Sequence, residues 1–162
     1  MLSPSPAMFD LPETRDALRI EAERYVGRAT LMIDRARALV LSERVQAIDL
    51  LTAQRGALGD HFGRYQRFKH SAIFDPVVEH GPTSSKLVAR TMKVDCMALG
   101  ERFAAYQARC LGLGASDWTY YRRDMLATTE ALTVNLRAEL RAIRQLLTIS
   151  GFYADFATDA RA

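Results

Sequence analysis

The chain of 162 residues is 49% hydrophobic and 25% charged, a length and balance that suit one domain around a single core. The net charge of +3 comes almost wholly from arginine, because Lys69, Lys86 and Lys93 are the only lysines and acidic residues are interspersed throughout; this excludes a polycationic tail. No apolar run approaches the roughly 18 to 20 residues that a bilayer requires, and Met1 to Ala7 has neither the charged start nor the apolar stretch of a signal peptide, so a bacterial-type cytoplasmic location is the simplest expectation.

Residues 1–10 contain two Ser-Pro pairs and are expected to form an extended N-terminal arm. A bundle over 11–150 follows. Pro12 suits a first helical turn and Glu13 favours its positive end. Leu18, Ala22, Tyr25 or Val26, Ala29, Met32 or Ile33, Ala36 and Leu39 or Val40 then recur at steps of three and four, which predicts helix A over Pro12 to Leu41. Ser42 with Glu43 and Arg44 reads as a cap and short turn. Ile48, Leu51, Leu58, Phe62, Tyr65, Phe68 and Ile73 continue a helical stripe, giving helix B from about Glu43 to Phe74. Asp75-Pro76 and the stretch from His80 to Ser84 are the strongest punctuation in the chain and separate B from C.

Helix C begins near Ser84 or Ser85 and carries Val88, Met92, Cys96, Leu99, Phe103 and Tyr106 inward, with Lys93 and Arg102 outward. Its two cysteines, Cys96 and Cys110, are fourteen residues apart, about 21 Å along a helix, beyond disulfide reach. The Gly-rich stretch Leu111 to Ser116 breaks the pattern. Ser116 or Asp117 caps helix D, which runs from about Asp117 to Ile149 with Met125, Leu132, Asn135, Leu136, Glu139, Ile143 and Leu146 inward and Gly151 as terminator. Residues 151–162 form a C-terminal tail. No segment alternates with a period of two, and all connections are short. The expected class is therefore all-α, an up-down-up-down antiparallel four-helix bundle.

Several segments resemble the hemerythrin-like (HHE cation-binding) family. Leu18-Arg-Ile-Glu-Ala22 is similar to the helix A segment in which that family carries a histidine at the position of Ala22. Tyr65-Gln-Arg-Phe-Lys69 resembles the His-x-x-x-Glu of helix B, Asp95-Cys96 the Asp-His of helix C, and Asn135-Leu-Arg-Ala-Glu139 the His-x-x-x-Glu or His-x-x-x-His of helix D. In a second register His61 takes the helix B histidine position and Tyr65 the glutamate. The resemblance covers about Leu11 to Leu147 and implies a bundle built to hold iron. The former ligand positions, however, read Ala22, Tyr65, Lys69, Cys96, Asn135 and Glu139, and of these Glu139 alone retains a ligand type. A paired-iron centre needs converging imidazoles and bridging carboxylates, which Ala22 and Tyr65 or Lys69 cannot supply.

The resemblance also places Lys69 and Glu139 on facing inner positions. They form either a buried ion pair, with Asn135 and the Tyr65 hydroxyl satisfying leftover hydrogen bonds, or a solvated lysine and a glutamate partnered by Arg137 or Arg141. His61, His70 and His80 have spacings that do not converge on a metal with Glu79. Cys96 reads as a small buried hydrophobe. No phosphate-binding glycine loop, nucleophile elbow or Ser/His/Asp arrangement is present, so no enzyme class is indicated.

Three functions follow as expectations. The first is a metal-free interaction or regulatory module that binds a protein partner or itself. Its surface would comprise Trp118, Tyr120 and Tyr121 with Arg122, Arg123, Arg137, Arg141 and Arg144, joined by Arg15, Arg19 and Arg24 or by Phe152, Tyr153 and Phe156; the alternative is that these aromatics pack against the ends of the bundle and the arginines are only solvated. The second is a residual iron-binding, oxygen-responsive protein. The third is nucleic-acid binding, which the charge alone suggests and no helix-turn-helix, zinc spacing or lysine-rich tail accompanies.

Overall fold

A computed structural model describes residues 12–42 and 47–159, with side chains over 14–42 and 47–150. The described residues are helical, without a strand. The expected arm at 1–10 and the Glu43-Arg44 turn lie outside them.

Helix α1 spans Pro12–Leu41, the bounds that its apolar spacing predicts. Its buried stripe of Ala22, Val26, Ala29, Ile33 and Val40 falls on one face at the 3.6-residue period. At its end the Ser42 hydroxyl donates to the Leu39 carbonyl at 2.6 Å. Helix α2 covers Ile48–Phe68 and buries Leu51, Leu58, His61 and Tyr65.

The chain does not break at Asp75-Pro76. It continues through a widened π-helical turn, Lys69–Phe74, in which the Asp75 N–H donates to the His70 carbonyl five residues back. Proline clashes with the carbonyl four residues before it in a regular helix. A wider turn relieves that clash, so Pro76 sits in the first turn of the short helix α3, Asp75–His80. The true break comes at Gly81 and Pro82, where the backbone becomes extended.

Helix α4 spans Thr83–Arg109. Beyond it Gly112 adopts φ +73°, a left-handed conformation that only glycine takes without steric cost. A single 3-10 turn, Ala115–Asp117, leads into the last helix, and the Asp117 carboxylate accepts the Gly114 N–H at 2.9 Å. Helix α5 spans Trp118–Asp159. Gly151 therefore does not end it: a glycine terminates a helix when it turns left-handed, and the backbone here stays helical through 159. The expected tail at 151–162 is thus helical up to Asp159.

Each long helix packs against two others, α1 on α5 and α2, α4 on α5 and α2. Specific pairs fix the alignment. Arg37 on α1 donates to the Leu126 carbonyl and Thr129 hydroxyl of α5 at 2.9 and 2.8 Å, while Glu23, near the other end of α1, accepts from Arg144 of α5 at 2.9 Å. Phe62 of α2 meets Phe103 of α4 edge-on. Arg109 of α4 holds Asp124 of α5 through two 3.0 Å bonds. The core contains Ile33, Leu51, Tyr65, Phe74, Met125, Leu136, Ile143 and Leu146, all nearly inaccessible. Among the described residues, no helix is long and apolar enough to cross a membrane.

Candidate functional site

The interior polar cluster starts from the π-helical turn. Lys69 opens that turn and is held inside the bundle at 3% exposure. Its Nζ lies 2.7 Å from Glu139 Oε1, on α5, and both side chains are largely buried. The ammonium also sits 4.1 Å from the centre of the Tyr65 ring, one turn earlier, where the electron-rich face attracts a cation. That ring also stacks on Tyr25 of α1 at 5.1 Å. A column Tyr25, Tyr65, Lys69, Glu139 therefore crosses the core. Lys69 does not reach solvent, and Glu139 is partnered by it rather than by Arg137 or Arg141.

Two openings flank the column. A groove of about 420 Å³ between α4 and α5 is lined by Asp95, Leu99, Arg102, Asn135 and Glu139. A smaller cavity of about 160 Å³ between α2, α4 and α5 is lined by Tyr65, Lys69 and Cys96 together with Phe62, Leu99, Phe103, Leu132 and Leu136. The ion pair lies between them, since Lys69 faces one and Glu139 the other. Burial, with the Glu139 carboxylate and Cys96 thiol adding to it, pushes the Tyr65 hydroxyl well above the ordinary phenol range. The Glu139 carboxylate is close enough to add to that rise as a nearby acceptor does, yet the buried Tyr65 hydroxyl forms no hydrogen bond of good geometry with it or with any other group. Burial likewise pushes the Cys96 thiol up, so it is a packed side chain rather than a nucleophile.

The structure thus gathers Tyr65, Lys69, Cys96 and Glu139 into one cluster, with Asn135 on the adjoining groove and Ala22 buried one turn before Tyr25. Iron does not fit this donor set. Ala22 offers no donor atom, and the Lys69 ammonium has no lone pair and stands 2.7 Å from the one carboxylate, where it would repel a divalent cation.

The histidines separate. His61 is buried and its Nε2–H donates to the Tyr25 carbonyl at 2.8 Å, an assignment fixed because a carbonyl only accepts. His70 packs edge-on to Phe74, and burial, with Lys93 beside it, holds its pKa below the ordinary imidazole value. His80 sits 3.5 Å from Glu79. Among the described residues, no three His, Cys, Asp or Glu side chains converge for a metal.

The expected outer surface is divided. Tyr120 is exposed, but Tyr121 is 6% exposed and stacks on Trp118, so these two rings close the core rather than offer anchors. Arg144 and Arg19 both bind Glu23, and Arg24 pairs with Glu21. Arg123, Arg137 and Arg141 are exposed on α5, while Arg15 and Arg122 are partly buried. The side chains of Phe152, Tyr153 and Phe156 lie outside the described residues.

A second surface escapes the inward reading of helix C. Val94, 65% exposed, marks the centre of the outer face of α4, with Leu87 at 66% and Met97 at 52% beside it. Residues eleven apart on a helix differ by about 20° around the axis, so exposed Arg90 and Glu101 lie on the same face. The signal was present in the sequence as Leu87, Val94 and Met97, but the buried stripe of Met92, Cys96 and Phe103 on the opposite face accounted for the helix by itself. Compared with protein-family models, curated proteins and solved structures, the chain matches none.

Proposed function

We propose that the chain is a hemerythrin-like up-down-up-down bundle that works without metal, as an interaction module whose partner is a second copy of itself. The cross-helix pairs support the antiparallel order: Arg37 with Leu126 and Glu23 with Arg144 run α1 and α5 in opposite senses, and Arg109 with Asp124 joins the end of α4 to the start of α5. The convergence of Tyr65, Lys69, Cys96 and Glu139 supports the likeness, because these are the positions to which the resemblance assigns ligands. An ion pair there replaces the charge balance of a metal site and leaves the outside of the bundle to do the work.

The outer face of α4 carries the reading. Two such helices crossing antiparallel about a twofold axis between Asp95 and Cys96 bring Arg90 of each copy to Glu101 of the other. The same axis sets Val94 against Met97 and Leu87 against Ala104, all exposed in the single chain. Among the described residues neither Arg90 nor Glu101 has an ion-pair partner. A twofold interface uses every contact twice, so the two charges supply register and the apolar groups supply affinity.

Sedimentation equilibrium on the wild type and three variants tests this reading. The wild type forms a concentration-dependent dimer, Arg90→Glu and Glu101→Arg each weaken it about tenfold or more, and the combined reversal restores it. A wild type that stays monomeric, or a double reversal no better than the singles, contradicts the reading.

A further inference from the structure

We infer that the cavity between α2, α4 and α5 binds a small ring-shaped molecule bearing one neutral hydrogen-bonding oxygen, of which phenol is the simplest. Size comes first. The space is open on one side and holds about 160 Å³, room for one six-membered ring of the kind that an enclosed apolar cavity of roughly 150 Å³ accepts. Phe62, Leu99, Phe103 and Leu132 give it apolar walls, which match the faces and edges of a six-membered ring.

The inner end is different. Tyr65 is 1% exposed and its hydroxyl is buried without a hydrogen-bond partner, although a phenol in a core ordinarily has one. Lys69, which shares that end of the cavity, has three N–H donors, of which Glu139 takes one. An oxygen entering here accepts from groups that otherwise lack an acceptor. The charge of that oxygen follows from the ion pair. Glu139 already balances Lys69, and a further charge in the core would be left uncompensated, so the ligand head is neutral.

The entrance is glycine-lined. Gly59 and Gly63 on α2 and Gly100 on α4 leave the cavity without side chains at its outer edge. Two amides stand across that gap: a methyl group on Gly59 would meet the Gln107 amide nitrogen at 2.5 Å, and one on Gly100 the Gln66 amide oxygen at 3.4 Å. Both are ends of flexible side chains, which can swing aside without moving a helix. This site lies inside one chain and does not depend on self-association.

Calorimetric titration of the full chain with phenol, and with benzene as the apolar control, tests the site. Phenol is expected to bind about tenfold more tightly than benzene, a difference of about 1.4 kcal/mol. Tyr65→Phe, which keeps the ring and leaves only the Lys69 donor, is expected to lose most of that preference. Gly100→Leu closes the entrance and is expected to abolish both, with Gly63→Leu as a second closure should the first disturb the fold. Absence of binding by either probe, equal affinities in the wild type, or a phenol preference undiminished in Tyr65→Phe overturns the inference.

Discussion

Lys69 and Glu139, seventy residues apart in sequence, meet at 2.7 Å in the interior of the bundle with side-chain exposures of 4% and 12%. Two buried opposite charges gain little net stability, because desolvation offsets their attraction, yet removing one leaves the other uncompensated. Lys69→Met is therefore expected to cost about 3 kcal/mol or more in urea unfolding. The double variant Lys69→Met with Glu139→Leu is expected to recover to within about 1 kcal/mol of wild type. Additive losses would show that the two residues act separately.

Tyr65 offers the opposite outcome. Its hydroxyl is buried and unpartnered in the free protein, so its removal relieves a desolvation cost while the ring keeps its contacts with Tyr25 and Lys69. Tyr65→Phe is expected to leave the free protein as stable or more stable, by up to about 1 kcal/mol. A loss of 2 kcal/mol in the same denaturation assay would mean that the hydroxyl is satisfied.

His70 sets a pH dependence. Burial, then the nearby Lys93, hold its imidazole below the ordinary value of 6.5, while Asp75 and Glu139 pull the other way and Lys69 adds to the depression. The unfolded chain takes a proton near 6.5 and the folded chain at lower pH, so protonation favours unfolding. This contribution is present above about pH 6.5 and is lost as pH falls through that window towards the folded-state value. Thermal unfolding at pH 7 and pH 5 is expected to show a smaller drop for His70→Gln than for the wild type. Equal drops would remove His70 as a cause.

Arg37 fastens α1 to α5 by bonds to the Leu126 carbonyl and the Thr129 hydroxyl. Both acceptors lie inside α5, and bonds from a charged donor are about twice as strong as neutral ones. Arg37→Ala is expected to cost about 2 kcal/mol in chemical denaturation, and an unchanged midpoint would show that water replaces the guanidinium freely.

Much of the fold was legible because burial repeats with the helical period. Ala22, Val26, Ala29 and Ile33 mark the buried face of α1, and Met92, Cys96, Phe103 and Tyr106 of α4 followed the same rule, whereas Val88, expected inward, is 41% exposed because its spacing from Met92 leaves it at the edge of the buried stripe. The misreadings have local causes. Pro76 looked like a stop because proline clashes with a regular turn, but the π-helical turn at Lys69–Phe74 widens the backbone just ahead of it. Gly151 looked like a stop because glycine often turns left-handed, a choice that depends on tertiary packing. Tyr121 is buried, with Arg55 of α2 over its ring, a long-range contact that its neighbours in sequence do not reveal. In the site, the facing of Lys69 and Glu139 was expected from the resemblance, whereas the unpartnered Tyr65 hydroxyl and the glycine entrance needed three helices in place. The outer stripe of α4 was visible only once the inner stripe was known to be filled.

The proposed reading rests on an interior held by a lysine and a glutamate at the positions to which the hemerythrin-like resemblance assigns metal ligands. Metal analysis of untagged protein, dialysed first against iron(II) and zinc and then against metal-free buffer, tests it most directly. The account predicts well under about one tenth of an equivalent of either metal per chain, with the same result for Lys69→Met, because Ala22, Tyr65, Cys96 and Asn135 still lack the imidazoles that a centre requires. Retention of one equivalent or more by the wild type would contradict it.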